Sequence, residues 1–158
     1  MIELNDIMGR PMVIKKQDRG LNCGQTAVSM LTGIQMDKVY KAFGTKSVTN
    51  MQLTVSALRK LGVQCSDFAA ANGEPMPEYA LARIAFYKRS GGHQSNTKFK
   101  RLGHLVVVVK GIVVDPNGDV YPLSTLKTHR NAGVTHYIKV EPKNAPTAEM
   151  VSEGNWLW

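Results

Sequence analysis

The hydrophobic positions in the first half of the chain recur with the period of an α-helix, about 3.6 residues. The pattern predicts three helices: one that begins after Asn22 and is closed by Gly33, one at Met36–Phe43 and one at Met51–Leu61. Asn22 is a suitable N-cap, so Cys23 is expected in the first turn of the first helix. Pro77 suits the first position of a helix, and a fourth helix is therefore predicted at Glu78–Tyr87.

The second half of the chain favours strands instead. Lys110-Gly111 separates two apolar runs, Gly103–Val109 and Ile112–Asp115, and is typical of a tight hairpin turn. Shorter strands are predicted at Met12–Lys16, Val63–Cys65, Asp119–Tyr121 and Thr135–Val140, with a loop at Ala69–Pro77 and one helical turn at Leu123–Lys127. Because helices come first and an antiparallel sheet follows, the predicted fold class is α+β.

The length of 158 residues suits one domain, 1–158, with a lead-in at 1–16 and a C-terminal tail at 141–158. No apolar run approaches the roughly 18 residues of a membrane span, and the first residues lack the apolar centre of a signal peptide. We therefore expect a cytoplasmic protein with no membrane partner.

Two cysteines without nearby histidines make neither a disulfide framework nor a zinc site, and no glycine-rich phosphate loop is present, so no cofactor is expected.

Cys23 is the candidate nucleophile of this chain. A cysteine attacks as the thiolate, and a helix N-terminus lowers the thiol pKa through its unpaired N–H groups. Gly24 leaves the approach to the sulfur open. The alternative is a buried thiol that only packs at a helix end, which is the commonest fate of a cysteine. Cys65, in a predicted strand, is assigned to the core.

Gln17 and His104 are the candidate partners of this thiol. Gln17 lies six residues before Cys23, where its amide can share with the Cys23 N–H the binding of an oxyanion; the alternative is an exposed loop glutamine. His104 begins the most apolar strand of the chain, a poor packing choice unless the imidazole has a polar partner. His129 and His136 remain as substitutes, although no acid follows His136 at a matching position.

Asp115 is the predicted partner of His104. If Lys110-Gly111 forms a two-residue turn, Val106 pairs with Asp115 and His104 lies on the same face of the sheet. Such diagonal neighbours are roughly 7–8 Å apart at the backbone, within reach of an imidazole–carboxylate hydrogen bond. A three-residue turn would place the two on opposite faces, and Asp115 would then be an ordinary turn aspartate.

These residues resemble a known family, the papain-like cysteine peptidases. The likeness covers Gln17 with Asn22–Ala27 and its apolar helix, and then Gly103–Val108 followed by Asp115-Pro116. The nearest branch is that of the bacterial peptidases that remove double-glycine leader peptides, with their stand-alone relatives; this branch usually has an aspartate where the chain has Asn22. The resemblance implies a papain-like fold, in which the helix of the nucleophile packs on an antiparallel sheet.

The resemblance also implies a function and a set of roles. It implies a thiol-dependent hydrolase that cleaves a peptide, isopeptide or side-chain amide through an acyl-thioester, with Cys23 as nucleophile, His104 as proton carrier, Asp115 as orienting acid and Gln17 as oxyanion donor. The same triad also serves a glutamine deamidase or an acyl transferase, because the cleft selects the acceptor. A non-catalytic basic binding module is the remaining alternative.

Positive charge indicates the class of partner. The chain has 20 Lys+Arg against 12 Asp+Glu, a net charge of +8. Basic residues cluster just before His104, at Arg83, Lys88, Arg89, Lys98, Lys100 and Arg101. The five at Lys88–Arg101 are candidate substrate-binding residues, in a surface loop that leads into the His104 strand. A solvated loop is the first interpretation of this segment, an acidic protein or peptide partner the second, and nucleic acid the third. The sequence does not indicate the oligomeric state.

Overall fold

The computed structural model describes residues 4–17, 22–87 and 99–143, with the backbone alone at 99–102. Its elements in chain order are α1 (Cys23–Thr32), α2 (Met36–Phe43), α3 (Met51–Lys60), β1 (Ala69–Ala70), β2 (Tyr79–Tyr87), β3 (Phe99–Val109), β4 (Ile112–Val114), β5 (Val120–Pro122), a 3-10 turn (Leu123–Thr125), α4 (Leu126–Arg130) and β6 (Ala132–Lys139). The described strands form one antiparallel sheet in the order β1-β6-β2-β3-β4-β5. The α+β class, with the helices first, is therefore confirmed.

The three N-terminal helices begin and end where the local sequence dictates. Gly33 closes α1 at a φ of +75°, a left-handed conformation that glycine adopts without strain. The Asn50 side chain caps α3 by accepting the Leu53 N–H at 2.8 Å. Asn22 occupies the predicted cap position of α1 but makes no capping hydrogen bond, and its side chain donates instead to the Tyr40 hydroxyl at 2.7 Å.

The sheet separates two apolar cores. Side chains of β3 alternate between its faces, as the two-residue period of a strand requires. The face towards α1, α2 and α3 buries Leu81, Leu105, Val107, Val109 and Ile138. The opposite face buries Ala82, Ile84, Val106, Val108 and Leu126, the last of these from α4. Within the described ranges, no helix is both long and apolar enough to cross a bilayer.

The β3–β4 hairpin has the predicted register. Lys110 and Gly111 have φ values of +49° and +79°, as a two-residue type I′ turn requires, and Val109 pairs with Ile112. In the described part of the chain, the pairing of β3 with β4 does not extend to His104. The edge of β3 is therefore open beside this residue, and other elements can approach it there.

The predicted helix at Glu78–Tyr87 is wrong, because residues 79–87 form β2. This strand lies between β3 and β6 and pairs with both. Its centre is buried on both sides of the sheet, at Ala80, Leu81 and Ala82. A strand buried on both faces has a continuous apolar run, and its period does not distinguish it from a buried helix.

Several smaller boundaries also differ from the prediction. Met12–Lys16 contains no strand, and Val63–Cys65 is reduced to a single bridge from Cys65 to Val140. The predicted loop at Ala69–Pro77 begins with β1, β3 starts four residues before Gly103, and β6 starts three residues before Thr135. The reason is common to all of them: a short strand forms only where a distant partner strand offers hydrogen bonds.

Candidate active site

Cys23 is the first residue of α1 and lines a cleft of about 220 Å³. The half-buried sulfur lies near the His104 ring and the backbone N–H groups of Gly24 and Leu105, which stabilise its negative charge as hydrogen-bond donors. Burial raises the pKa of the Cys23 thiol, but these interactions and the charge on His104 together lower it by more. The net pKa therefore lies below its ordinary value of 9.0. The surroundings therefore favour the thiolate.

His104 connects this sulfur to a carboxylate. Its Nε2 lies 2.6 Å from Oδ1 of Asp115, which leaves Nδ1 as the ring nitrogen for the Cys23 sulfur. The residue is only 8% exposed, and burial alone lowers the pKa of an imidazole. The hydrogen bonds and charges of Asp115 and Cys23 outweigh burial and raise the pKa of His104 to about 9. At neutral pH these shifts favour the imidazolium form of His104 and move the Cys23 equilibrium towards the thiolate.

Asp115 is fully buried and is contacted at both carboxylate oxygens. Oδ1 also accepts the Asn117 N–H at 2.9 Å. Oδ2 accepts the Tyr121 hydroxyl at 3.3 Å and lies 3.6 Å from Nε of Arg130. Burial raises the pKa of Asp115, but the bonds and charges of His104, Asn117 and Arg130 lower it below its ordinary 3.8. The carboxylate is therefore held ionised in a buried position.

Sequence reasoning missed Arg130 and Tyr121 as parts of this arrangement. Arg130 ends α4, and its guanidinium lies 5.2 Å from the centre of the Phe86 ring, which in turn is 6.3 Å from the His104 ring. In the sequence, nothing distinguishes Arg130 from its basic neighbours. Only the packing of α4 against the sheet brings its charge to Asp115.

The segment between α2 and α3 forms the facing wall of the cleft. Gln25, fully buried in α1, holds this segment by donating from Nε2 to the carbonyls of Thr45 and Ser47 at 3.0 and 2.8 Å. Gly24 allows the segment to approach, because a β-carbon at this position would overlap the methyl group of Thr49. The apolar helix after Cys23 therefore does more than present the sulfur: its first turn also positions the opposite wall.

Gln17 lies beside the Asp115 turn. Its backbone N–H donates to the Pro116 carbonyl at 2.6 Å, and its side chain is half-buried. Among the described residues, nothing hydrogen-bonds to its buried side-chain oxygen. The contact places Gln17 near the carboxylate of the site, while its role as oxyanion donor stays a prediction.

The other candidates fall elsewhere. Lys88, Arg89 and Lys98 lie outside the described residues, and Lys100 and Arg101 are described only as backbone of β3. His129 faces Asp119 at 3.8 Å and packs on Tyr121, and His136 packs on Phe68. Among the described lining residues of the Cys23 cleft, the histidine is His104. Cys65 is half-buried against the helical core, and burial raises its pKa above 9.0. Cys23 and Cys65 therefore differ in the direction in which their surroundings shift the thiol pKa.

A scan against models of known protein families and a search of curated proteins both find no match. Within the described ranges, no group of three or more His, Cys, Asp or Glu side chains is arranged to hold a metal ion. The geometry around Cys23 therefore has to carry the functional argument by itself.

Proposed function

We propose that this protein is a thiol-dependent hydrolase with a papain-like fold, which cleaves a peptide, isopeptide or side-chain amide. One observation carries the proposal: His104 lines the same cleft as Cys23 and lowers its pKa, while the same ring is hydrogen-bonded at 2.6 Å to the buried carboxylate of Asp115. A thiol that only fills space needs no such partners. A nucleophilic thiol needs a proton acceptor, and the acceptor needs a group that holds its orientation.

In the first step, the Cys23 thiolate attacks the amide carbonyl carbon, and a C–S bond forms as the carbonyl π-electrons move to oxygen. Protonated His104 then gives its Nδ1 proton to the amide nitrogen, the C–N bond breaks, and the amine leaves an acyl-thioester on the sulfur. Asp115 stays ionised throughout, and its charge stabilises the imidazolium form of His104 before this transfer.

In the second step, His104 is neutral and accepts a proton from water as the oxygen of that water attacks the thioester carbonyl. The C–S bond breaks, the acid product leaves, and the thiolate–imidazolium pair is restored. The Cys23 N–H and the Gln17 amide are the proposed donors to the oxyanion formed in both steps. This chemistry uses side chains of the protein and water alone.

The thiolate is tested by alkylation of the full chain with iodoacetamide at about pH 6, followed by mass spectrometry of the two cysteine peptides. Because the pKa of Cys65 lies above 9.0, about one molecule in a thousand or fewer carries that thiolate at this pH. We expect Cys23 to react at least about tenfold faster than Cys65, and His104→Gln to remove the difference. Equal rates at both cysteines would contradict the ion pair.

Hydrolysis is tested separately, with a pool of unfolded peptides in ¹⁸O-labelled water. We expect new peptide ends or deamidated side chains that carry the label with the wild type, none with Cys23→Ala, and normal products with Cys65→Ser as the matched control. Unlabelled products joined to an amine would instead indicate acyl transfer. Absence of any product with a reactive Cys23 thiolate would refute the hydrolase.

A further inference from the structure

Arg83 occupies the same cleft as Cys23 and has no role in the chemistry proposed above. It lies on β2, where it pairs in register with Leu105. A β-carbon placed on Gly103 would lie 2.5 Å from Nε and 2.6 Å from Cζ of Arg83. Any larger residue at Gly103 would therefore displace the guanidinium, and glycine at this position leaves the space that Arg83 occupies.

The guanidinium is held in place at one end. Nη1 donates to the Thr135 hydroxyl oxygen at 2.8 Å, and that hydroxyl donates in turn to the Arg83 carbonyl at 3.2 Å. Within the described ranges, Nε and Nη2 have no hydrogen-bond partner, and no carboxylate forms an ion pair with Arg83. Arg83 is thus a positioned donor group whose charge is not neutralised by the described part of the chain.

The cleft around Arg83 does not neutralise this charge either. Among its described lining residues there is no Asp or Glu, and the polar ones include Thr49, Asn50 and Thr54. Cys23 and His104 also line the cleft and interact with each other, so the positive charge of the half-buried Arg83 remains without a counter-charge among the described lining residues. An arginine with free N–H groups in such a place is suited to a carboxylate, which accepts two parallel hydrogen bonds from the guanidinium.

We infer that Arg83 binds a carboxylate of the substrate, close to the amide that Cys23 attacks; this inference rests on the proposed function. The substrate class is then a peptide with an acidic side chain or a free C-terminal carboxylate next to the reacting amide. Both substrates would place a single carboxylate in the cleft. A negatively charged substrate would also be attracted by the net charge of +8 of the whole chain.

Three probes with the same iodoacetyl group and nearly the same shape test this inference: iodoacetyl-glutamine amide, which is neutral, iodoacetyl-glutamate α-amide, with a side-chain carboxylate, and iodoacetyl-glutamine, with a terminal carboxylate. The measured quantity is the rate of Cys23 alkylation by each acidic probe relative to the neutral one. We expect one acidic probe to react at least about fivefold faster than the neutral probe, as a charge-assisted hydrogen bond implies. The faster acid identifies the source of the carboxylate.

Variants separate Arg83 from the general positive charge of the protein. We expect Arg83→Gln to bring the ratio close to one and Arg83→Lys to keep part of it. Arg59→Gln makes the same charge change outside the cleft, at a residue that is 54% exposed and paired with Asp67 at 3.0 Å, and it should leave the ratio unchanged. Thermal unfolding followed by circular dichroism establishes that each variant is folded.

The inference is overturned if neither acidic probe reacts faster than the neutral one, or if the advantage survives in folded Arg83→Gln. These outcomes are independent of the proposed function, because the ratio is measurable at any pH at which Cys23 reacts. Failure of the proposed function appears elsewhere, as slow reaction of the neutral probe near pH 6 and absence of labelled hydrolysis products.

Discussion

Replacing Asp115 by Asn in a Cys23→Ala background tests the buried ion pair that organises the site. The Cys23→Ala change removes the thiolate, so that Asp115 is the remaining partner that raises the pKa of His104. A rise from 6.5 to about 9 corresponds to about 3 kcal/mol at roughly 1.4 kcal/mol per pH unit. Asp115 shares this with Cys23 and is its largest favourable source, so we expect Asp115→Asn to lower the free energy of unfolding by about 2 kcal/mol.

The pH dependence follows from the two shifts. Because Asp115 raises the folded-state pKa of His104, this pairing stabilises the protein fully below about 6.5, and the stabilisation is lost as the pH rises through the raised pKa, which lies below about 9 once Cys23 is absent. Because the folded-state pKa of Asp115 is lowered, its contribution is present above 3.8 and is lost as the pH falls through that lowered value. The difference between the two proteins should be largest between about pH 4 and 6.5.

The measurement is urea unfolding at a series of pH values, followed by circular dichroism. Asp119→Asn in the same background is the matched control, because this carboxylate is 51% exposed and its contact with His129 at 3.8 Å is open to solvent. We expect it to change the free energy of unfolding by less than about 0.5 kcal/mol. A difference for Asp115→Asn that stays constant from pH 4 to pH 10, or grows above pH 7, would refute the reasoning.

Two further substitutions test the surroundings of the site. Arg130→Gln removes a cation 3.6 Å from Oδ2 of Asp115 that helps to lower the pKa of this carboxyl, so the acid unfolding midpoint, followed by circular dichroism, should move to higher pH; an unchanged midpoint would contradict the contact. In a helix, Gly24→Ala would ordinarily stabilise by roughly 0.5–1 kcal/mol, but overlap with the Thr49 methyl should cost about 1–3 kcal/mol. We therefore expect Gly24→Ala to have a lower melting temperature and slower alkylation of Cys23. A more stable variant would show that Thr49 can move aside at little cost in free energy, contrary to this reasoning.

Local patterns sufficed for the helices and for one hairpin. The bounds of α2 agree with the prediction, and α3 ends one residue earlier than predicted, because caps and helical period act within a few residues. The register of the β3–β4 hairpin also followed from Lys110-Gly111, since a two-residue turn leaves no freedom in the pairing that follows. That register is what brought His104 and Asp115 to one side of the sheet, as predicted.

Where partners are distant in sequence, the prediction failed or was silent. The sequence pattern predicts a helix at β2 because a buried apolar run has the same composition in either structure, and only pairing with β3 and β6 decides between them. Arg130 and Arg83 were two basic residues among 20 Lys+Arg. Their positions, one beside Asp115 and the other in the cleft, depend on how α4 and β2 pack against the rest of the protein.

The sequence by itself determined the chemical inventory and its local presentation: a thiol at the start of a helix, and an imidazole and a carboxylate on neighbouring strands of a tight hairpin. Only the tertiary structure decided that these two pieces meet, because the open edge of β3 beside His104 receives the N-terminus of α1. The physical reason is range. Turns and caps act over a few residues, whereas the charge that helps to lower the pKa of Cys23 comes from His104, about eighty positions away, and only the packed core holds it there.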